Sequence, residues 1–267
     1  MSTEKPVTVP CLRRMKNEGR KIVVLTAYDY PFARLMDSCG IDVLLVGDSV
    51  GNAVLGYADT IPVTMEEMLH HVKAVSRAAR RALVVADMPF MSYQAGRKQA
   101  LENAGRFLKE GGAKAVKLEG GARAAETVAF LTSAGIPVMG HIGMTPRSVN
   151  VTGGYLRQGT SEEAAAALEE DARALEEAGA FAVVLELVSP PVAARVTGLL
   201  EIPTIGIGSG PDCDGQVLVM HDMLGMDEHF RPRHAKRYME LHALLREAFT
   251  AYAEDVRAGR FPSEEHS

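Results

Sequence analysis

The stretch Gly40-Ile-Asp-Val-Leu-Leu-Val-Gly-Asp48 sets the reading of the fold. A glycine comes first, at a point where a helix can end in the left-handed conformation that glycine adopts without steric cost. A short apolar, β-branched run follows, and then a carboxylate. The same plan returns in Gly112-Ala-Lys-Ala-Val-Lys-Leu-Glu119, Gly135-Ile-Pro-Val-Met-Gly-His141 and Gly179-Ala-Phe-Ala-Val-Val-Leu-Glu186. The distance from glycine to reactive side chain is nearly constant: eight residues to Asp48, seven to Glu119, six to His141 and seven to Glu186. Each unit reads as a helix end feeding a buried strand with a reactive group at its carboxyl end. Asp87 closes Leu83-Val-Val-Ala in the same way.

Working outward, short apolar runs predict strands at 22–27, 43–46, 83–86, 115–118, 137–140, 182–185, 204–207 and 216–220. Near-continuous apolar strands are those buried on both faces, as in a parallel sheet. Helical patterns separate most of them. Thr64-Met-Glu-Glu67 is a capping box that opens a helix with Met68, Val72, Val75 and Ala79 on one face. Thr160-Ser-Glu-Glu163 reads as a second, opening a helix through Leu168 and Leu175 that stops at Gly179. Alternating strands and helices imply right-handed βαβ units. Eight parallel strands in about 250 residues fit a (β/α)8 barrel, whose site lies at the carboxyl ends of the strands. An open doubly wound sheet would gather its ligand at one switch point, whereas here strand after strand ends in a reactive residue. No Pro/Gly/Ser-rich linker interrupts the series. The expectation is therefore one barrel domain over 1–267, with an N-terminal helix and a helical extension from about 229 to 267.

Composition narrows the class. The chain has 267 residues, 47% of them hydrophobic and 24% charged, which excludes a disordered or collagen-like polymer. A net charge of -5 argues against nucleic acid as a partner. Cys11, Cys39 and Cys213 are too few and too scattered for a disulfide framework or a thiolate metal site. The start, Met1-Ser-Thr-Glu-Lys5, has no apolar leader pattern, and no apolar run is long enough to span a membrane. A reduced, cytoplasmic protein without membrane partners is expected.

Asp48, Asp87 and Glu119 end three successive strands, and at a barrel mouth such side chains converge. Converging carboxylates raise one another's pKa unless a cation intervenes. Oxygen donors alone favour Mg²⁺ or Mn²⁺ over Zn²⁺. Each acid taken singly also fits a helix N-cap; the three together favour a metal. Lys117 is two residues from Glu119 on one strand, so both share a face. An inward lysine needs an anion, either a neighbouring acid or a substrate carboxylate. Glu186 ends an apolar strand, where desolvation suits a carboxylate to act as a base. His141 sits between glycines and reads equally as a structural group. A cation, a lysine and a shielded carboxylate together suit an enolisable 2-oxo acid.

The strings Gly47-Asp-Ser-Val-Gly51, Leu55-Gly-Tyr57, Ile61-Pro-Val-Thr64, Asp87-Met-Pro-Phe-Met-Ser-Tyr93, Val116-Lys-Leu-Glu-Gly-Gly121, Gly140-His-Ile-Gly143 and Gly206-Ile-Gly-Ser-Gly-Pro-Asp-Cys-Asp-Gly-Gln216 together resemble the ketopantoate hydroxymethyltransferase family, in order and at ordinary spacing over about 8–226. The resemblance implies a (β/α)8 TIM barrel of the phosphoenolpyruvate/pyruvate superfamily. It implies transfer of a hydroxymethyl group from 5,10-methylenetetrahydrofolate to 3-methyl-2-oxobutanoate in pantothenate biosynthesis. By the same resemblance, Asp48 and Asp87 bind metal and substrate, Glu119 is a third Mg²⁺ ligand, and Ser49 and Lys117 bind the 2-oxo acid. Glu186 takes the proton and His141 lines the pocket. Family members form homo-oligomers, often decamers, and the helical pattern with Tyr238, Leu241, Leu244 and Leu245 on one side is compatible with that. Ser209 departs from the alanine common in the family, and Leu187-Val-Ser-Pro-Pro191 departs from the usual Val-Pro after the glutamate. Two other readings use the same residues: a metal-dependent carbon–carbon lyase or decarboxylase, and a non-catalytic 2-oxo acid binder.

Overall fold

The computed structural model describes residues 5–148, 154 and 156–267. Residues 1–4, part of the start read for a leader, lie outside the described residues. The chain separates into two compact units, Met1–Val217 and Leu218–Ser267.

The first unit opens with α1 (Val9–Asn17), β1 (Ile22–Thr26), α2 (Tyr30–Ser38), β2 (Val43–Val46), α3 (Met65–Ala78), β3 (Leu83–Asp87), α4 (Arg97–Lys109) and β4 (Ala115–Glu119). It continues with α5 (Ala122–Ser133), β5 (Val138–Gly143), α6 (Glu162–Glu177), β6 (Ala182–Glu186), α7 (Pro190–Leu199), β7 (Thr204–Ile207) and all but the last residue of β8 (Gly215–Leu218). The eight strands close into one barrel in sequence order. All seven sequential pairings from β1–β2 to β7–β8 are parallel. Each expected strand is present. The main differences lie at the carboxyl ends, where Asp87, Glu119, His141 and Glu186 stand within strands rather than after them. Gly40, Gly112, Gly135 and Gly179, which precede β2, β4, β5 and β6, have φ of 82°, 79°, 83° and 89°, the left-handed helix ends that the repeat predicts.

A period of two fills the barrel. Ile22, Val24, Val43, Leu45, Leu83, Val85, Ala115, Met139, Ala182, Val184, Ile205 and Val217 form one buried cluster. Leu12 and Met15 of α1 join that cluster at the amino ends of the strands. Burying each Val, Leu, Ile or Met among them contributes about 1.5–3 kcal/mol. Two residues further along, the same inward parity carries Asp87, Lys117, His141 and Glu186, and four residues past Ala115 it carries Glu119. The apolar filling thus gives way to a polar layer at the carboxyl rim, where barrels place their chemistry.

The outer helices follow their caps. Thr64 accepts from the Glu67 N–H and Glu67 answers in a full capping box, while Met68, Leu69, Val72, Val75 and Ala78 are buried. Ala78 takes the place expected of Ala79. At α6 the cap is Ser161, not Thr160: Ser161 is extended and its hydroxyl accepts from the Ala164 N–H. The helix therefore starts one residue later than the capping-box pattern implies.

The second unit contains α8 (Met220–Leu224) and α9 (Leu241–Arg257). The expected extension from about 229 is helical mainly within α9, which leaves Tyr238 outside the helix. Arg237 organises the intervening loop, donating to the Asp227 and Phe230 carbonyls at 2.6 and 2.9 Å.

Candidate active site

The rim residues converge from three elements around one guanidinium. Asp48 follows β2 in a turn, Asp87 ends β3, and Lys117 and Glu119 lie on β4; all four are buried. Lys117 Nζ donates to Asp87 Oδ2 at 2.6 Å. Arg147, from the short 3₁₀ turn after β5, donates from Nε to Asp48 Oδ2 at 2.8 Å and from Nη2 to Asp87 Oδ1 at 3.0 Å. Its Nε also lies 3.6 Å from Glu119 Oε1. The structure therefore gathers the three carboxylates that the sequence singled out, and adds a second cation among them.

Tyr93 ties the cluster to the backbone. Its hydroxyl donates to the Glu119 carbonyl at 2.9 Å and accepts from the Glu119 N–H and from Arg147 Nη1, each at 3.1 Å. Sequence reasoning assigned no role to Arg147 or Tyr93. Arg147 sits on a loop, outside the strand parity that exposed the other residues. The signal that could have found it is charge: three buried carboxylates facing one lysine call for a further cation.

His141 on β5 and Glu186 at the end of β6 complete the inner face, with His141 Nε2 3.2 Å from Glu186 Oε2. The Glu186 side chain is 13% exposed, the most open of the group. Leu187, next in the chain, has φ of 51°. That conformation is costly for a branched residue, by about 1–3 kcal/mol. It is held by the Leu187 N–H bond to the Ile207 carbonyl and the Gln158 N–H bond to the Leu187 carbonyl, both 2.8 Å. Ser209 braces the same corner: its buried hydroxyl donates to the Leu185 carbonyl at 2.7 Å and accepts from the Val188 N–H at 3.0 Å. An alanine here could not make this bridge. Gly143 lets the β5 loop pass close to β6, since a Cβ there would stand 2.3 Å from the Glu186 carbonyl oxygen. Ser49 stands beside the rim with its hydroxyl 2.8 Å from that of Tyr28.

Electrostatics reflect a shortage of positive charge. Burial raises the Asp48 carboxyl against the opposing pull of Arg147. Burial likewise raises Glu119, again opposed by Arg147. Burial also pushes Asp87 upward, but Lys117 and Arg147 outweigh it and leave its carboxyl below the usual range. Lys117 loses stability as a cation by burial, yet Asp87, Glu119 and Asp48 hold it charged above the ordinary lysine value. Burial, aided by the charge of Lys117, lowers His141 to about 3, so the imidazole is neutral at physiological pH.

The donor chemistry fits a small hard cation. Asp48, Asp87 and Glu119 offer carboxylate oxygens, and Glu119 Oε1 is buried without a hydrogen-bond partner among the described residues. Among the described residues, no three His, Cys, Asp or Glu side chains already form a ligand set for a metal ion. Arg147 stands between them instead.

The comparisons decide the lineage. The family model for ketopantoate hydroxymethyltransferase matches residues 6–264. The chain belongs to the ketopantoate hydroxymethyltransferase family. Among its relatives is the 3-methyl-2-oxobutanoate hydroxymethyltransferase of Carboxydothermus hydrogenoformans, 60% identical over 98% of this chain and 95% of the relative. The protein of the same name from Trichlorobacter lovleyi is 57% identical over 98% of both chains. A solved structure of 2,3-dimethylmalate lyase, described as a PEP mutase/isocitrate lyase superfamily member, matches with a TM-score of 0.59 at 18% identity, covering 96% of this chain and 90% of that one. At that identity the likeness is one of fold, and it agrees with the barrel expected from the hydroxymethyltransferase resemblance. No helix among the described residues is long and apolar enough to cross a membrane.

Proposed function

We propose that this member of the hydroxymethyltransferase family transfers a hydroxymethyl group from 5,10-methylenetetrahydrofolate to 3-methyl-2-oxobutanoate. With one water consumed, the products are 2-dehydropantoate and tetrahydrofolate, on the route to pantothenate. One observation carries the reading: Lys117, three carboxylates and Glu186 converge on the inner rim of a barrel that is 60% identical to a protein of that name.

Asp48, Asp87 and Glu119 are the side chains to hold Mg²⁺, and Asp48 and Asp87 also face the substrate. When bound there, the ion supplies Lewis-acid stabilisation of the negative charge that develops on the 2-oxo acid as its C3 proton leaves. Lys117 offers its ammonium to the substrate carboxylate, and Ser49 and His141 line the pocket. Glu186, the most open carboxylate of the inner face, accepts the C3 proton. A base so placed contributes about 10²–10⁴-fold to the rate. The neutral His141 ring beside it adds no competing charge. Burial of the rim keeps water away and strengthens each of these electrostatic contacts.

The test is exchange of the C3 proton of 3-methyl-2-oxobutanoate in deuterated water with Mg²⁺ and no folate. The wild type exchanges. Glu186→Gln loses about 10²–10⁴-fold in exchange rate while still binding the 2-oxo acid. Exchange at the wild-type rate would remove Glu186 from its role. Product must appear only once methylenetetrahydrofolate is added; carbon–carbon cleavage without it would mark a lyase instead.

A further inference from the structure

We propose that Arg147 is a built-in counter-cation of the rim, which a divalent ion must displace, so that the guanidinium and the ion occupy the carboxylates in turn. The inference rests on the reading of Asp48, Asp87 and Glu119 as the divalent-cation ligands, and it assigns a role to a residue that reading leaves out.

Three observations carry it. First, the guanidinium addresses the same three carboxylates: Asp48 at 2.8 Å, Asp87 at 3.0 Å and Glu119 at 3.6 Å. With its side chain only 3% exposed, it lies inside the cluster and not over it. Second, the charges do not balance. Lys117 and Arg147 leave the three carboxylates one positive charge short, and among the described residues Glu119 Oε1 has no hydrogen-bond partner. Exchanging the guanidinium for a dication closes that shortfall, whereas adding a dication beside it would set three cations, Lys117 among them, against three carboxylates in one buried space. Third, the two cations differ in how they are mounted. Lys117 is fixed on β4, paired across to β3 and β5. Arg147 belongs to a three-residue 3₁₀ turn, Pro146–Ser148, beyond the end of β5. The guanidinium is held by side-chain contacts and by its hydrogen bond to Tyr93, so it can leave without disturbing the barrel ladder. An arginine cannot yield its charge by deprotonation, so it must vacate the site bodily.

The consequence is a trade. Arg147 stabilises the metal-free rim and weakens metal binding by the same contacts. Mn²⁺ binding to the intact protein, followed by electron paramagnetic resonance and calorimetry, tests this in wild type, Arg147→Gln and Asp87→Asn. Arg147→Gln is expected to bind Mn²⁺ tighter by about tenfold or more. The same variant should melt at a lower temperature than wild type without metal, and recover when Mn²⁺ is added. Unchanged or weaker Mn²⁺ affinity in Arg147→Gln would overturn the inference, as would a raised KM for the 2-oxo acid with metal affinity intact, which would make Arg147 a substrate clamp. Asp87→Asn separates the two levels. If it loses Mn²⁺ while Arg147→Gln binds as wild type does, the rim reading stands and the exchange fails. If Asp87→Asn binds Mn²⁺ normally, the rim reading itself fails and the exchange with it.

A second measurement needs no variant. Phenylglyoxal labelling of Arg147 in wild type, mapped by peptide mass spectrometry, should accelerate several-fold when Mn²⁺ is added. Equal or slower labelling would show that the guanidinium stays in place.

Discussion

The two ends of the barrel use the same kind of ion pair to opposite ends. At the amino end, Arg81 donates to Asp42 at 2.8 Å and to the Ile41 carbonyl at 3.1 Å, while Asp42 also accepts from the Val23 N–H. Lys16 of α1 meets Asp214 at 2.9 Å and the Thr197 carbonyl at 2.8 Å, and Asp214 also accepts from the Thr204 N–H. Each carboxylate there has a cation and a backbone donor. These pairs staple the starts of β1, β7 and β8 to the segments around them. At the carboxyl rim three carboxylates share two cations, and among the described residues both ring nitrogens of His141 and one oxygen of Glu119 find no hydrogen-bond partner. Buried polar groups are ordinarily satisfied, so a concentration of unsatisfied ones marks a place prepared for something else. The satisfied end is architecture, and the unsatisfied end is where the proposed chemistry lies.

This contrast can be broken by removing a cation at either end. In metal-free protein, Lys117→Met should cost about 3–5 kcal/mol, because it leaves Asp87, Asp48 and Glu119 buried around Arg147 with one cation fewer. Arg81→Met should cost less, about 1–3 kcal/mol, since Asp42 keeps its backbone donor and is nearer solvent. Urea denaturation measures both, and equal losses would erase the distinction. A divalent ion sharpens it from the other side. Mg²⁺ at a hundred times its dissociation constant should stabilise the wild type by about 2.7 kcal/mol. Asp42→Asn should keep that increment and Asp87→Asn should lose it, as followed by the thermal midpoint with and without Mg²⁺. The smallest effect concerns the corner beside Glu186. Ser209→Ala should cost about 1 kcal/mol in urea, by leaving the Leu185 carbonyl and the Val188 N–H without their bridge. It should also lower kcat more than it raises KM, because the strained Leu187 turn that aims Glu186 loses a support.

Much of the rim was legible because strand parity is local. Once 115–118 is a strand with Ala115 inside, Lys117 and Glu119 must face inward too, and the same step of two carries Asp87, His141 and Glu186. Asp48 is different: it lies in the turn after β2, where its N–H donates to Asp87 and its carboxylate meets Arg147, ninety-nine positions away in sequence. Tyr93 stood in a quoted motif, yet nothing local reveals that its hydroxyl bridges both backbone groups of Glu119. The start of α6 was misplaced by one residue for a related reason. Thr160 and Ser161 can both cap, and the choice falls to whichever the preceding chain holds extended.

By itself the sequence determined the strands, a barrel as the fold that suits them, and the shared face of Lys117 and Glu119. Those follow from periodicity and from glycine at helix ends, which act over a few residues. The tertiary structure alone decided which cation sits among the acids, how the negative charge is left in excess, and how the corner at Glu186 is braced. These depend on loops that meet only after the barrel closes, and on Coulombic and hydrogen-bond contacts whose strength is set by a burial that no short stretch of chain possesses.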